Sequence, residues 1–234
     1  MEKIDDSIQK AFEYLGDLYQ DMLCNKKIAL TRDDIGFTER NLTFYFCSGY
    51  KSSKDDAIVW QELPIFDSHQ HLDSIIIDKD NDAIDVYYVE AKRIYNKNYV
   101  VNNGGSHGSL TEDYDRLKSN FESSKSKEQF IKKIPGLYYF LKKSPKVNHH
   151  IVLIASLEYK SREREDTFDE RFKAIVDFAN GKKEMRMLHY NVRDGFGKPE
   201  SRSKDKCLYK LENEQRRELL SFVNLDLYLM IEDV

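Results

Sequence analysis

The stretch HLDSIIID, residues 71–78, and the stretch VYYVEAKRI, residues 86–94, decide the fold that we predict for this chain. Both are rich in the β-branched and aromatic residues that favour strands. Between them lies KDNDA, residues 79–83, whose Asp and Asn residues are typical of a turn. We therefore predict two antiparallel strands joined by a short connection.

The register of this hairpin determines which polar side chains meet. A turn centred between residues 81 and 82 places Asp73 opposite Glu90. Directly opposed residues point to the same side of a sheet, with Cβ atoms about 5 Å apart. Lys92 shares that side because side chains alternate along a strand. We therefore predict that two carboxylates and one ammonium group meet at one end of the hairpin, an arrangement that a one-residue slip would break.

Such a group of side chains has a recognisable chemistry. Two adjacent carboxylates repel each other, and a divalent cation removes the conflict. All-oxygen ligation by Asp73 and Glu90, completed by waters, suits Mg²⁺, with Mn²⁺ as an alternative. A neighbouring Lys92 can orient an attacking water and stabilise negative charge on a phosphate. The pattern thus favours phosphodiester hydrolysis, while Glu-x-Lys taken alone is more typical of a surface ion pair.

The same stretch resembles the PD-(D/E)xK nuclease superfamily. The resemblance implies a restriction-endonuclease-like core, with Asp73 as the first motif acid and Glu90-Ala91-Lys92 as the (D/E)xK element. It also implies that Ala91 lends its carbonyl to the metal. The proline of the strict motif is replaced by Leu72.

Further site residues follow from this resemblance. The superfamily often has a glutamate on the helix before the hairpin, for which Glu39 is the candidate and Glu62 a weaker substitute. His71 lies two residues before Asp73 and is an accessory candidate for phosphate or water. The expected substrate is DNA, with RNA as an alternative, in restriction, phage defence or repair, and a homodimer or larger defence-type complex is plausible. Candidate nucleic-acid contacts are Tyr114, Arg116, Lys118, Lys132 and Lys133.

The remaining periodicity predicts an α/β (α+β) domain with a mixed sheet flanked by helices. We expect one domain over 1–234, with a core at 36–180, a helical N-terminal extension at 1–35 and a C-terminal extension at 181–234. The predicted helices lie at 2–24, 36–48, 110–121 (continuing brokenly to 143), 167–181 and 211–223, and the further predicted strands at 57–65, 149–159 and 184–192.

Composition limits the class of protein. The chain has 234 residues, of which 40% are hydrophobic and 33% charged. It lacks an apolar run of the roughly 18 residues that a membrane span needs, and it has no recognisable secretory signal. Three widely spaced cysteines, Cys24, Cys47 and Cys207, suggest a reduced, cytoplasmic protein. The net charge of −4 does not itself indicate nucleic-acid binding, but residues 116–146 carry nine Lys and Arg against two Glu.

Two other functions remain open at this point. The sequence FDSHQHLD also resembles the opening strand of metal-dependent amidohydrolases and phosphoesterases, with Asp67, His69 and His71 as metal ligands. Only 163 residues follow His71, which is short of a barrel of about 250 residues. The other alternative is a non-catalytic member of the nuclease fold that binds nucleic acid or a partner protein.

Overall fold

The computed structural model describes most of the chain as six helices and six strands. The described residues are 4–24, 38–64, 71–80, 83–94, 97–101, 108–134, 136–142, 146–159, 165–193 and 224–234. The helices are α1 (Asp6–Cys24), α2 (Glu39–Ser53), α3 (Leu110–Ser119), α4 (Ser124–Lys133), α5 (Leu137–Leu141) and α6 (Glu165–Asn180), with a 3₁₀ turn at Lys97–Tyr99. The strands are β1 (Ile58–Pro64), β2 (His71–Asp80), β3 (Ala83–Arg93), β4 (Val147–Tyr159), β5 (Arg186–Arg193) and β6 (Asn224–Asp233).

The strands form one mixed sheet in the order β1-β2-β3-β4-β6-β5. Strands β3 and β4 are parallel, and every other neighbouring pair is antiparallel. β4 is central, and its side chains from Ile151 to Leu157 are buried on both faces. Continuous apolar sequence is what a strand covered on both sides requires. The predicted mixed sheet flanked by helices is therefore confirmed.

Each face of the sheet has its own hydrophobic core. Helices α1 and α2 pack on one face, where Phe12 and Phe46 are buried in one cluster with Ile154. Helices α3 to α6 cover the other face, where Leu117 and Phe130 join Tyr88 in a single cluster. The candidate site lies on this second face, where polar side chains at one end of the sheet are covered by α3.

Helix α2 is longer than the sequence predicted. Its N-cap is Thr38, as expected, and the hydroxyl of Thr38 accepts a hydrogen bond from the Asn41 amide at 3.2 Å. The prediction ended the helix at residue 48, because Gly49 and the polar residues after it are typical of a loop. In the structure Gly49 is buried where α1 crosses α2, and a Cβ at that position would lie 2.8 Å from the Tyr14 ring. The glycine allows close helix packing rather than ending the helix.

Strand β6 was not predicted. Its residues 227–231 are all buried between β4 and β5, so the C-terminal segment completes the sheet. A run of five apolar residues does not distinguish a strand from a buried helical turn by periodicity. The strand exists because of pairing with distant segments, a constraint that no local pattern contains. The predicted helix at 211–223 lies outside the described residues.

Candidate active site

The β2–β3 register brings the predicted catalytic residues together. The Cα partners run from Asp80–Ala83 to Ser74–Val89, which confirms the predicted register. Asp73 lies one residue beyond the last of these pairs. There its Oδ2 accepts a hydrogen bond from the amide of Ala91 at 2.8 Å, so the two strands remain in contact at the site.

The carboxyl groups of Asp73 and Glu90 lie in an environment that disfavours negative charge. Burial raises the pKa of Asp73 to about 6, and the carboxylates of Glu39 and Asp113 contribute to this rise. Burial also raises the pKa of Glu90 well above its usual range, with the charge of Asp73 as the second cause. Glu90 is only 5% exposed. The site therefore holds more negative charge than its own cations balance.

Helix α3 supplies two charged side chains that complete the cluster. Asp113 Oδ2 lies 2.9 Å from the Lys92 ammonium, and Asp113 Oδ1 lies 3.3 Å from Arg116. Arg116 also donates to Glu90 Oε1. The position of α3 is set by a capping box, in which Ser109 and Glu112 exchange side-chain and backbone hydrogen bonds.

Asp113 was absent from the sequence prediction, and Arg116 was predicted only as a nucleic-acid contact. In the sequence, Asp113 stands between Glu112 and Asp115 in the first two turns of a charged helix. Nothing in the sequence pattern indicates which of these three acids faces the sheet. A strong N-terminal cap at Ser109 is the one local signal, because it fixes where the helix begins and hence which side faces the sheet.

Glu39 lies close to this cluster at the start of α2. Its Oε1 accepts a hydrogen bond from the Arg93 amide at 3.0 Å, which ties α2 to the end of β3. Its charge also reaches the Lys92 ammonium. Burial acts to lower the pKa of Lys92, but the carboxylates of Asp113 and Glu39 outweigh it and raise that pKa. Lys92 is thus held as a cation among acids.

The two accessory candidates lie at the margin. Glu62 has φ +53°, in the left-handed region that residues other than glycine rarely adopt. The β1–β2 pairing skips Glu62, at the position opposite Asp73. Its carboxylate pairs with Arg40 Nε at 2.9 Å rather than with a residue of the cluster. His71 is exposed at the first residue of β2. Neither side chain is brought into the cluster by a described contact.

The predicted nucleic-acid residues are divided among three places. Arg116 lies in the site. Tyr114 is buried, and its hydroxyl donates to Glu232 Oε2 at 2.7 Å, while Lys118 pairs with the same carboxylate. Lys132 and Lys133 are exposed on α4. Lys127 of the same helix donates to the carbonyl of Val234, whose amide donates to His149 near the beginning of β4, whereas the acids lie near the end of β3.

A metal site of three or more His, Cys, Asp or Glu side chains does not occur among the described residues. Of the amidohydrolase ligands, Asp67 and His69 lie outside the described residues, and only His71 is placed. In the same described part of the chain, no helix is long and apolar enough to cross a membrane.

Comparisons with known proteins do not identify this chain. No family model, no curated protein and no solved structure matches it. Its function must therefore be inferred from its own residues, from their geometry and from the short motif that they form.

Proposed function

We propose that this protein is a Mg²⁺-dependent nuclease that hydrolyses phosphodiester bonds in DNA. The observation that carries the proposal is the β2–β3 register, which gathers Asp73, Glu90 and Lys92 on one face at one end of two neighbouring strands. Glu39 approaches from the helix before the hairpin, as the resemblance implies.

The donor set fits Mg²⁺. This ion usually binds through one or two carboxylates and keeps several waters, so a third protein carboxylate is not required. Asp73 and Glu90 would hold it, with the carbonyl of Ala91, and Glu39 would assist. The electrostatics agree, because four carboxylates (those three acids and Asp113) surround two cations, Lys92 and Arg116. One divalent cation would balance the formal charge of this cluster.

The side chains would divide the work of hydrolysis as follows. When bound, Mg²⁺ lowers the pKa of a coordinated water and offsets charge that builds on the phosphate. Lys92 orients the attacking water and stabilises the developing negative charge with its ammonium. Asp113 holds that ammonium in place at 2.9 Å. Arg116 contacts buried Glu90 and acts to lower the pKa of its carboxyl group, against the larger effects of burial and of Asp73.

Incubation of the purified protein with supercoiled plasmid, linear duplex DNA, single-stranded DNA and RNA tests the proposal. We expect cleavage of at least one DNA form with Mg²⁺ or Mn²⁺ and none with EDTA. Gel electrophoresis over time distinguishes nicking from end-to-end digestion. Equal cleavage in EDTA, or hydrolysis of none of these substrates with either metal, would contradict the proposal.

A non-catalytic binding protein is the second candidate. The pairs Lys92–Asp113 and Arg116–Glu90 satisfy the charges of two motif residues within the protein itself, which favours a structural role for them. Such a protein would bind nucleic acid with the same affinity in Mg²⁺ and in EDTA and would never cut it. Binding measured beside cleavage therefore separates the two functions.

Replacement of Asp113 by Asn should slow cleavage roughly tenfold, because the Lys92 ammonium loses the charged partner that fixes its position. The Asp113→Glu variant should regain part of the rate. Asp115→Asn is a matched control, since Asp115 lies on the same helix, is exposed, and pairs only loosely with Lys182 at 3.6 Å. Single-turnover rates at saturating Mg²⁺ measure the effect, and equal rates for Asp113→Asn and the control would rule out this role.

A further inference from the structure

A second polar surface lies on α4 and α5, apart from the acids. It consists of exposed side chains and the half-buried Tyr138, and we call it the lysine–tyrosine patch: Lys132, Lys133, Tyr138, Tyr139 and Lys142. Tyr139 is 75% exposed, the largest value among the large hydrophobic side chains of the described residues. Exposure of a large aromatic ring beside several cations is typical of a binding surface.

The local structure explains why these side chains point outward. α4 ends at buried Ile134, and Gly136 turns the chain with φ +82°, a conformation that favours glycine. α5 then buries Leu137 and Leu141 in the core beneath it. Because these leucines anchor one side of α5, Tyr139 is left on the solvent side.

Lysines surround the second ring of the patch. The ammonium groups of Lys132 and Lys142 lie 5.2 Å and 5.7 Å from the centre of the Tyr138 ring. Tyr139 packs edge-on against the same ring, with a centroid distance of 5.6 Å. The rings and the cations therefore form one contiguous surface.

The positive charge of this surface favours binding of a polyanion. Between residues 124 and 142 the described part of the chain carries five lysines and one glutamate, Glu128, which pairs with Lys132 at 2.7 Å. Flat aromatic rings beside lysines match a partner that presents phosphates and unstacked bases together. We propose that the lysine–tyrosine patch binds single-stranded nucleic acid, with Tyr139 stacking on a base and the lysines contacting phosphates.

The position of the patch suggests what it does for the candidate nuclease, and this step rests on the proposed function. The chain leads from α5 to Lys146, whose carbonyl accepts from the amide of Ile84 at the start of β3. Lys92 lies eight residues after Ile84 on that strand, which corresponds to roughly 26 Å between the two residues. A stacked strand with a rise of about 3.4 Å per nucleotide would span this distance with about eight nucleotides. The patch would thus favour substrates with a single-stranded segment of roughly that length.

Fluorescence anisotropy in EDTA tests binding without cleavage. The probes are fluorescein-labelled oligothymidylates of about 6 and about 20 nucleotides. We expect Tyr139→Ala to weaken binding of the long probe roughly fivefold or more, and Tyr139→Phe to bind like wild type. Lys133→Gln should reduce the slope of log K against log salt by about 0.7. Phe44→Ala is the matched control, because Phe44 is an exposed ring on α2 with 49% exposure, and it should not change binding.

The outcomes separate this inference from the proposed function. Equal affinity of Tyr139→Ala and wild type would overturn the inference even if the protein cleaves DNA, and so would a wild type that does not bind the long probe. A dimer that dissociates with Tyr139→Ala, seen by light scattering without any change in oligonucleotide binding, would also overturn it by showing that a second copy covers the patch. Binding that depends on Tyr139 in a protein that never cuts would support the patch and refute the nuclease.

Discussion

The Lys92→Met variant is expected to lose DNA cleavage by a factor of at least about 10²–10³ while keeping its fold. The methionine side chain preserves most of the length and apolar volume of the lysine, so the packing under α3 is retained. What disappears is the ammonium that lies 2.9 Å from Asp113 and that would orient the attacking water. Single-turnover cleavage measures the loss, and circular dichroism shows whether the fold persists.

A lysine elsewhere provides the control for this loss. Lys97 follows β3 closely, is exposed, and pairs with Glu170 at 3.3 Å. The Lys97→Met variant removes the same charge near the same strand and should cleave within about twofold of wild type, because an exposed pair contributes little. If Lys92→Met cleaves as fast as Lys97→Met, then Lys92 is a structural ion-pair partner and the mechanism proposed above is wrong.

The hairpin could be predicted because its information is local. The turn residues, the strand residues and the alternation of side chains all lie within residues 71–94, and the register follows from them once the turn is taken to centre between residues 81 and 82. Glu39 could be proposed only through the resemblance. Its hydrogen bond to the Arg93 amide spans 54 residues and leaves no pattern in the chain.

The features that the sequence did not reveal share one physical cause, which is long-range packing. Tyr114 was predicted as a nucleic-acid contact because it stands in the basic helix after the loop at 102–109; the structure buries its ring in the core, and its hydroxyl donates to Glu232, 118 residues away in the chain. Asp113 was absent from the prediction because only its contact with Lys92 distinguishes it from the other acids of α3, and Lys92 belongs to strand β3. Strand β6 was missed because only its partners β4 and β5 distinguish it from a helix.

Loss of the first motif acid should raise the stability of the metal-free protein. The pKa of Asp73 is raised from 3.8 to about 6 by burial and by the charges of Glu39 and Asp113. The folded state therefore binds this proton more tightly than the unfolded state, and the resulting stability is present below about pH 4 and lost as the pH rises through about 6. At pH 8 the ionised carboxylate costs about 2–3 kcal/mol.

Asp73→Asn removes that cost and retains the acceptor for the Ala91 amide. We expect the variant to unfold about 5 °C above wild type in EDTA at pH 8 and at nearly the same temperature as wild type at pH 4. Differential scanning calorimetry provides both comparisons, with Asp115→Asn as the exposed control. The variant should also fail to cleave DNA, so stability and activity would change in opposite directions.

Magnesium should narrow the difference in stability between wild type and Asp73→Asn if the acids bind it. Ligand binding to the native state raises stability by mass action, so wild type should gain with increasing Mg²⁺ while Asp73→Asn should not. The gap between the two unfolding temperatures would then close. If Mg²⁺ raises both temperatures equally, Asp73 does not hold the cation. If Asp73→Asn is less stable than wild type in EDTA at pH 8, the carboxylate is stabilised by its neighbours and the excess of negative charge that favours a cation does not exist.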